Sequence, residues 1–247
     1  GKFEMNWNQA MAAQNGAVPC LLVRDVEHNL AVAQDVEEDA GVLNLTLAPA
    51  VTLAGKALYA GKPVTNATAR LLFWTGNSGM WLTDMALTNK PGEFEIPALP
   101  PGRKYGLVVT APGYGQHQVN NINDTEAGRH EIEPVELKLA NLKLSGQVVD
   151  ANDKPVSGAW VHINGLGQPS ASSRSDRKGN FTFENVCEGS VSVSANQQNT
   201  HGNVTAEGGE TNVVVRLGQN TSRSESAKAN KLKGKVTDTE GHPVEGA

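Results

Sequence analysis

The amino-acid sequence predicts an all-β chain of tandem antiparallel β-sandwiches, and three observations carry that prediction. One strand–turn–strand cassette occurs three times, apolar and polar residues alternate along most of the chain, and helical spacing is nearly absent. The cassette reads LAGKALYAGKPVTNATARL from Leu53, LSGQVVDANDKPVSGAWVHI from Leu144 and LKGKVTDTEGHPVEGA from Leu232. Its glycines, Gly55, Gly146 and Gly234, stand 91 and 88 residues apart, and each copy ends in Pro-Val and then Ala.

Leu144, Gly146 and Val148 fall on one side of an extended strand, because side chains alternate. Asp150 to Lys154 then form a turn, since Asx side chains bond nearby backbone and tolerate left-handed conformations. Pro155 fixes φ and lacks a donor, which suits a strand start or edge. Ala159, Val161 and Ile163 resume the apolar side, so the cassette is expected as a hairpin-like unit. Downstream, Asn89–Ile96 parallels Asp176–Phe183, each a Gly-containing turn that enters a strand with Phe or Ile at alternate places. Turns ending in Gly102 and Gly189 follow, then alternating strands through Tyr105, Leu107 and Val109 or Val191, Val193 and Ala195. Val135–Leu139 and Val213–Leu217 close the two copies. Seven short strands in roughly 90 residues is the pattern of an Ig-like antiparallel sandwich.

Cys20–Asp25 and Leu43–Leu47 resemble late strands of the same repeat, and Trp7, Ala10 and Met11 could line one face of a helical turn over Asn6–Asn15. The expected organisation is the end of a preceding sandwich over 1–50, full sandwiches over 51–140 and 141–218, and a polar linker over 219–230. The first strands of a third repeat would occupy 231–247. Beginning at Gly1 and ending inside a cassette, the chain reads as an excerpt of a longer protein.

The pattern L-x-G-x-V-x-D-x-x-G-x-P-V-x-G-A, with the turn-Gly-x-Phe strand and Ala111-Pro112-Gly113-Tyr114, resembles the carboxypeptidase regulatory-like domain. That resemblance covers residues 51–217 in two copies. It implies a transthyretin-like seven-stranded sandwich, found in tandem in secreted or cell-envelope proteins, especially bacterial ones. The second copy has Ala195-Asn196-Gln197-Gln198 in place of the Ala-Pro-Gly-Tyr element, so its late loops are expected to differ.

Composition fits many tight turns: 38% hydrophobic residues, 26 Gly and 12 Pro. A net charge of −5 supports neither a nucleic-acid polyelectrolyte role nor attraction to anionic membranes, and no apolar run is long enough to span a bilayer. Cys20 and Cys187 are expected as two separate small hydrophobes rather than a disulfide or a zinc site.

The sequence offers no catalytic constellation. His130…Glu133 and His242…Glu245 are loose spacings expected in solvated loops, and Asn164-Gly165-Leu166-Gly167 lacks the helix and Lys of a phosphate loop. Asp150, Asn152 and Asp153 offer oxygen ligands, but the matching turn of the first copy has no carboxylate, so turn geometry is expected and no metal or cofactor. Aromatic residues are the remaining lead. By register Trp160 and His162 point to the outer face, either as a ligand platform or, the favoured reading, packed against a neighbouring repeat. Trp74 and Trp81 flank the Thr75–Gly79 loop as a second candidate platform, with one of them expected in the core. The expected function is a non-enzymatic spacer or interaction module whose partners are neighbouring repeats, a polysaccharide or another envelope protein. Its alternatives are a carbohydrate-binding module using outer-face Trp residues and an accessory region of a larger hydrolase or peptidase.

Overall fold

The structure, a computed structural model, describes residues 19–36, 42–76, 78–86, 90–123 and 126–218, with backbone alone over 83–86. The expected helical turn over 6–15, the linker over 219–230 and the third cassette lie outside the described residues. Every regular element among the described residues is a strand.

The first three strands form a small antiparallel sheet: β1 (Cys20–Asp25), β2 (Leu30–Asp35) and β3 (Ala48–Pro49). Asn29, with φ 52°, closes the tight β1–β2 turn. Leu43–Leu47, expected as a strand, has no regular structure, and Leu30–Asp35 takes that place. A local hairpin pairs six consecutive residues across one turn, so it forms ahead of a more distant strand of equal apolar character.

The first sandwich follows. Its strands are β4 (Val51–Tyr59), β5 (Lys62–Pro63), β6 (Thr68–Thr75), β7 (Ser78–Ala86), β8 (Glu93–Leu99), β9 (Tyr105–Thr110), β10 (His117–Ile122), β11 (Gly128–Glu131) and β12 (Val135–Glu136). One sheet has the order β10-β9-β6-β7; the other centres on β4, which pairs with β5, β8, β11 and β12. Leu53, Leu71, Phe73, Ile96, Tyr105 and Leu107 fill the space between them with essentially no exposure. His130, expected in a loop, lies on β11.

The second sandwich comprises β13 (Ala140–Val149), β14 (Trp160–Asn164), β15 (Ala171–Arg174), β16 (Asn180–Cys187), β17 (Ser190–Gln197), β18 (Thr200–Glu207) and β19 (Val213–Arg216). Its sheets are β16-β13-β19 and β15-β14-β17-β18. Leu144, Val148, Ala159, Val161, Ile163 and Val193 are fully buried between them, on the face the alternation predicts.

Two further details differ from the sequence reading. The cassette is not a hairpin: β13 and β14 lie in opposite sheets, and antiparallel pairing across the turn is confined to Val149 with Pro155, or to Tyr59 and Leu58 with Lys62 and Pro63. Both strands carry full apolar faces, and placing them across the core buries both faces against each other. In addition, the closing strands pair parallel to the opening ones, β11 and β12 with β4 and β19 with β13. The recurrent cassette glycine also gains a reason: Gly55 stands opposite Phe94 and Gly146 opposite Phe181, so each Phe ring packs over a residue without Cβ.

Candidate functional site: two tryptophan-bearing faces and the joints between modules

Alternation on β14 buries Val161 and Ile163 and turns Trp160 and His162 outward. Trp160 is 49% exposed and faces Arg174 on β15, whose guanidinium stacks over the indole at 4.2 Å from the ring centroid. His162 Nδ1 lies 3.1 Å from Ser172 Oγ, one register step along the same strand pair. Trp160 therefore packs on a cation of its own sandwich, and the joint to the preceding sandwich is built elsewhere.

The corresponding face of the first sandwich carries Trp74 and Trp81. Leu71 and Phe73 occupy the inward positions of β6, which leaves Arg70, Leu72 and Trp74 on the outer side. Trp81 stands opposite Leu72 on β7 and shares that side. The expectation that one of this pair lies in the core does not hold: Trp74 is half-buried and Trp81 is 43% exposed. Arg70 stacks over Trp81 at 4.8 Å and Lys104 Nζ sits 5.3 Å from the Trp74 ring. Gly79 and Gly106 flank Leu72, whose side chain packs over two residues without Cβ. Both sandwiches thus use the same device, an Arg on a Trp across one strand pair, with the two residues exchanged between strands.

The joints hold side chains that sequence reasoning did not single out. Arg24 donates to the Ala98 carbonyl at 2.8 Å and to Pro97 O at 2.6 Å, tying β1 to β8. Asn29 Oδ1 accepts from Ala98 N and from Thr52 Oγ1, and Arg103 pairs with Asp35 at 2.9 Å. Between the sandwiches, Gly115 N donates to Lys138 O and Ala140 N to Gly113 O, both at 2.9 Å. The Cys187 thiol donates to the same Lys138 carbonyl at 3.4 Å. Gln168, fully buried, donates through Nε2 to the Cys187 carbonyl and accepts from Cys187 N at 2.9 Å. The Gly113-Tyr114-Gly115 turn and the Gly165–Gln168 turn meet here. A Cβ on Gly115 would lie 1.9 Å from Gly167 O, a contact only glycine permits. The signal was present in the sequence as the Ala-Pro-Gly-Tyr element of the first copy; where the second copy has Gln198, β17 and β18 meet in a tight turn.

Both cysteines are free thiols. Burial pushes the Cys20 thiol up to about 11 and raises that of Cys187, so neither is a ready nucleophile. Asp150 Oδ1 accepts from the backbone N–H of Asn152 and Lys154, and Asp176 Oδ1 repeats the arrangement with Lys178 and Asn180. Asp153 pairs with Arg216 instead of joining Asp150. Among the described residues no group of three His, Cys, Asp or Glu side chains converges on a cation position. His130 Nε2 bonds the Glu126 carbonyl.

Similar solved structures include a Streptococcal ancillary pilin, at 13% identity over 76% of this chain and 70% of that one, with a TM-score of 0.33. The minor pilin of Streptococcus agalactiae gives 12% identity, 68% and 95% coverage and a TM-score of 0.37. The Bacillus anthracis TIE protein gives 17%, 67% and 32%, and 0.26. Likeness at scores this low says nothing of what this chain binds or builds. No curated protein matches the sequence. A carboxypeptidase regulatory-like domain is found at residues 143–223, the stretch whose described part folds as the second sandwich.

Proposed function

We propose that this chain is a non-enzymatic spacer and interaction segment of a secreted or cell-envelope protein, with its modules held in series at fixed angles. The joint between the sandwiches carries this reading. A flexible linker would be polar and would leave its backbone to water. Here Lys138–Ala140 passes directly into β13, its carbonyl and amide groups are taken by Gly115, Gly113 and Cys187, and the two turns approach to a distance that excludes a methyl group. The β1–β3 sheet is fixed to the first sandwich in the same manner, through the Arg24, Asn29 and Arg103 contacts. The exposed Met80 and Trp81 on the β6–β7 hairpin support the interaction part of the reading.

Residual dipolar couplings from backbone amides of the full chain test it. Couplings from β4–β12 and β13–β19 are expected to fit one alignment tensor. Two tensors of different size or orientation would remove the rigid-spacer reading.

A further inference from the structure

The outer face of the sheet β15-β14-β17-β18 has a composition unlike the other side of its own sandwich. Cross-strand pairing sets Arg174, Trp160, Asn196 and His201 in one row. The two rows beyond hold only hydroxyl, amide and imidazole side chains, His162 and Asn203 among them. Of the described carboxylates on these strands, only Glu207 shares this side, at the far end opposite Ser190. The sheet β16-β13-β19, by contrast, carries mixed charge outward, with Lys143 paired to Glu184 at 2.9 Å and Arg216 to Asp153. Solvated sheet faces ordinarily look like the second of these.

In a chain of net charge −5, a face with one fixed cation, two imidazoles and almost no carboxylate is complementary to an anion. Its groups are also ordered before any ligand arrives. Arg174 is stacked on Trp160, and its one described protein acceptor is Gly158 O at 3.5 Å, so guanidinium N–H groups remain for a carboxylate. His162 is braced by Ser172, and Ser194 Oγ by the His162 carbonyl. Strand geometry spaces these groups at about 5 Å across the sheet and about 7 Å along it, a flat lattice of donors and acceptors. Trp160 adds half-exposed apolar surface at one corner.

The geometry points to a binding face for an anionic polysaccharide, a uronate-bearing chain whose carboxylates meet Arg174 and whose hydroxyls meet the Ser, Thr and Asn side chains. What sets the second sandwich apart is the two rows of hydroxyl, amide and imidazole groups beside its cation; the matching face of the first has Leu72 among Trp74 and Trp81, with Arg70 and Lys104 over the indoles. The inference goes beyond the spacer reading and does not depend on it.

Calorimetric titration of the 247-residue protein with polygalacturonate, and with dextran as the neutral polymer, tests the assignment. Polygalacturonate is expected to bind at least about tenfold tighter than dextran, as charge-assisted hydrogen bonds require. Trp160→Ala and Arg174→Gln should each weaken it about tenfold, while Lys143→Gln on the opposite face changes it less than about twofold. Both site variants are surface changes, and unaltered amide spectra for the core strands will show that they fold. Absence of binding, equal binding of dextran, or equal losses in all three variants would overturn the proposal. So would self-association in sedimentation that Trp160→Ala abolishes, which would assign the face to a second copy of the chain.

Discussion

A methyl group added at Gly146 would lie 2.0 Å from the Val213 carbonyl oxygen and 2.8 Å from the Phe181 ring. The same addition at Gly55 would meet the Phe94 ring at 2.5 Å and Ile132 Cγ1 at 2.7 Å. The first obstacle is backbone of the closing strand and cannot yield without breaking the β13–β19 pairing. The second is made of side-chain atoms that turn about χ angles. Gly146→Ala is therefore expected to cost about 3 kcal/mol and Gly55→Ala nearer 1 kcal/mol, the two ends of the overpacking range. Calorimetric melting of the two variants checks this; equal losses would contradict the distinction. The cassette glycines were legible in the sequence as a repeat, but the obstacles were not, because Val213 stands 67 positions from Gly146 and only the parallel pairing brings them together.

At the scale of elements, the β13–β14 connection and the turn before β16 are each held by one carboxylate. Asp150 and Asp176 lie below the ordinary carboxylate range because backbone N–H groups, of Lys154 and Asn152 in one case and of Asn180 and Lys178 in the other, donate to the ionised form. A folded-state pKa below the unfolded one contributes stability above the unfolded value, near pH 4, and that contribution is lost as pH falls through the folded value. The melting temperature is thus expected to fall on acidification below about pH 4, and to fall less steeply in the Asp150→Asn, Asp176→Asn double variant. An unchanged acid limb in the double variant would show that other groups set it. These turns were readable from residue chemistry alone, since an Asx turn is a local matter. The sheet to which each flanking strand belongs was not, and the cassette read as a hairpin for that reason.

For the molecule as a whole, the joint at Gly115 couples the sandwiches and seals Cys187. Gly115→Val would force its turn away from Gly167 O and from the Cys187 sulfur, where an added Cβ would stand at 1.9 and 2.8 Å. Opening the joint exposes the thiol and lowers its pKa toward the ordinary value, and both changes accelerate attack. Alkylation of Cys187, followed by peptide mass spectrometry, is expected to run about tenfold faster in Gly115→Val than in the unaltered chain. An unchanged rate would place the seal elsewhere.

The all-β class, the recurrence of the cassette, the inward faces of most strands and the outward setting of Trp160 and His162 are legible in residue order alone. These follow from period-two alternation and turn chemistry, which are properties of neighbouring residues. Long-range contacts set which sheet each strand joins, the parallel closing strands, the cations seated on the tryptophans and the joint of Gly115, Gly167, Gln168 and Cys187. Those depend on contacts between residues far apart in the chain, where pattern along the sequence carries no distance information. Trp74 shows the division: residue order left open which of Trp74 and Trp81 enters the core, and the folded sheet set both on the outer side, with Lys104 beside the Trp74 ring.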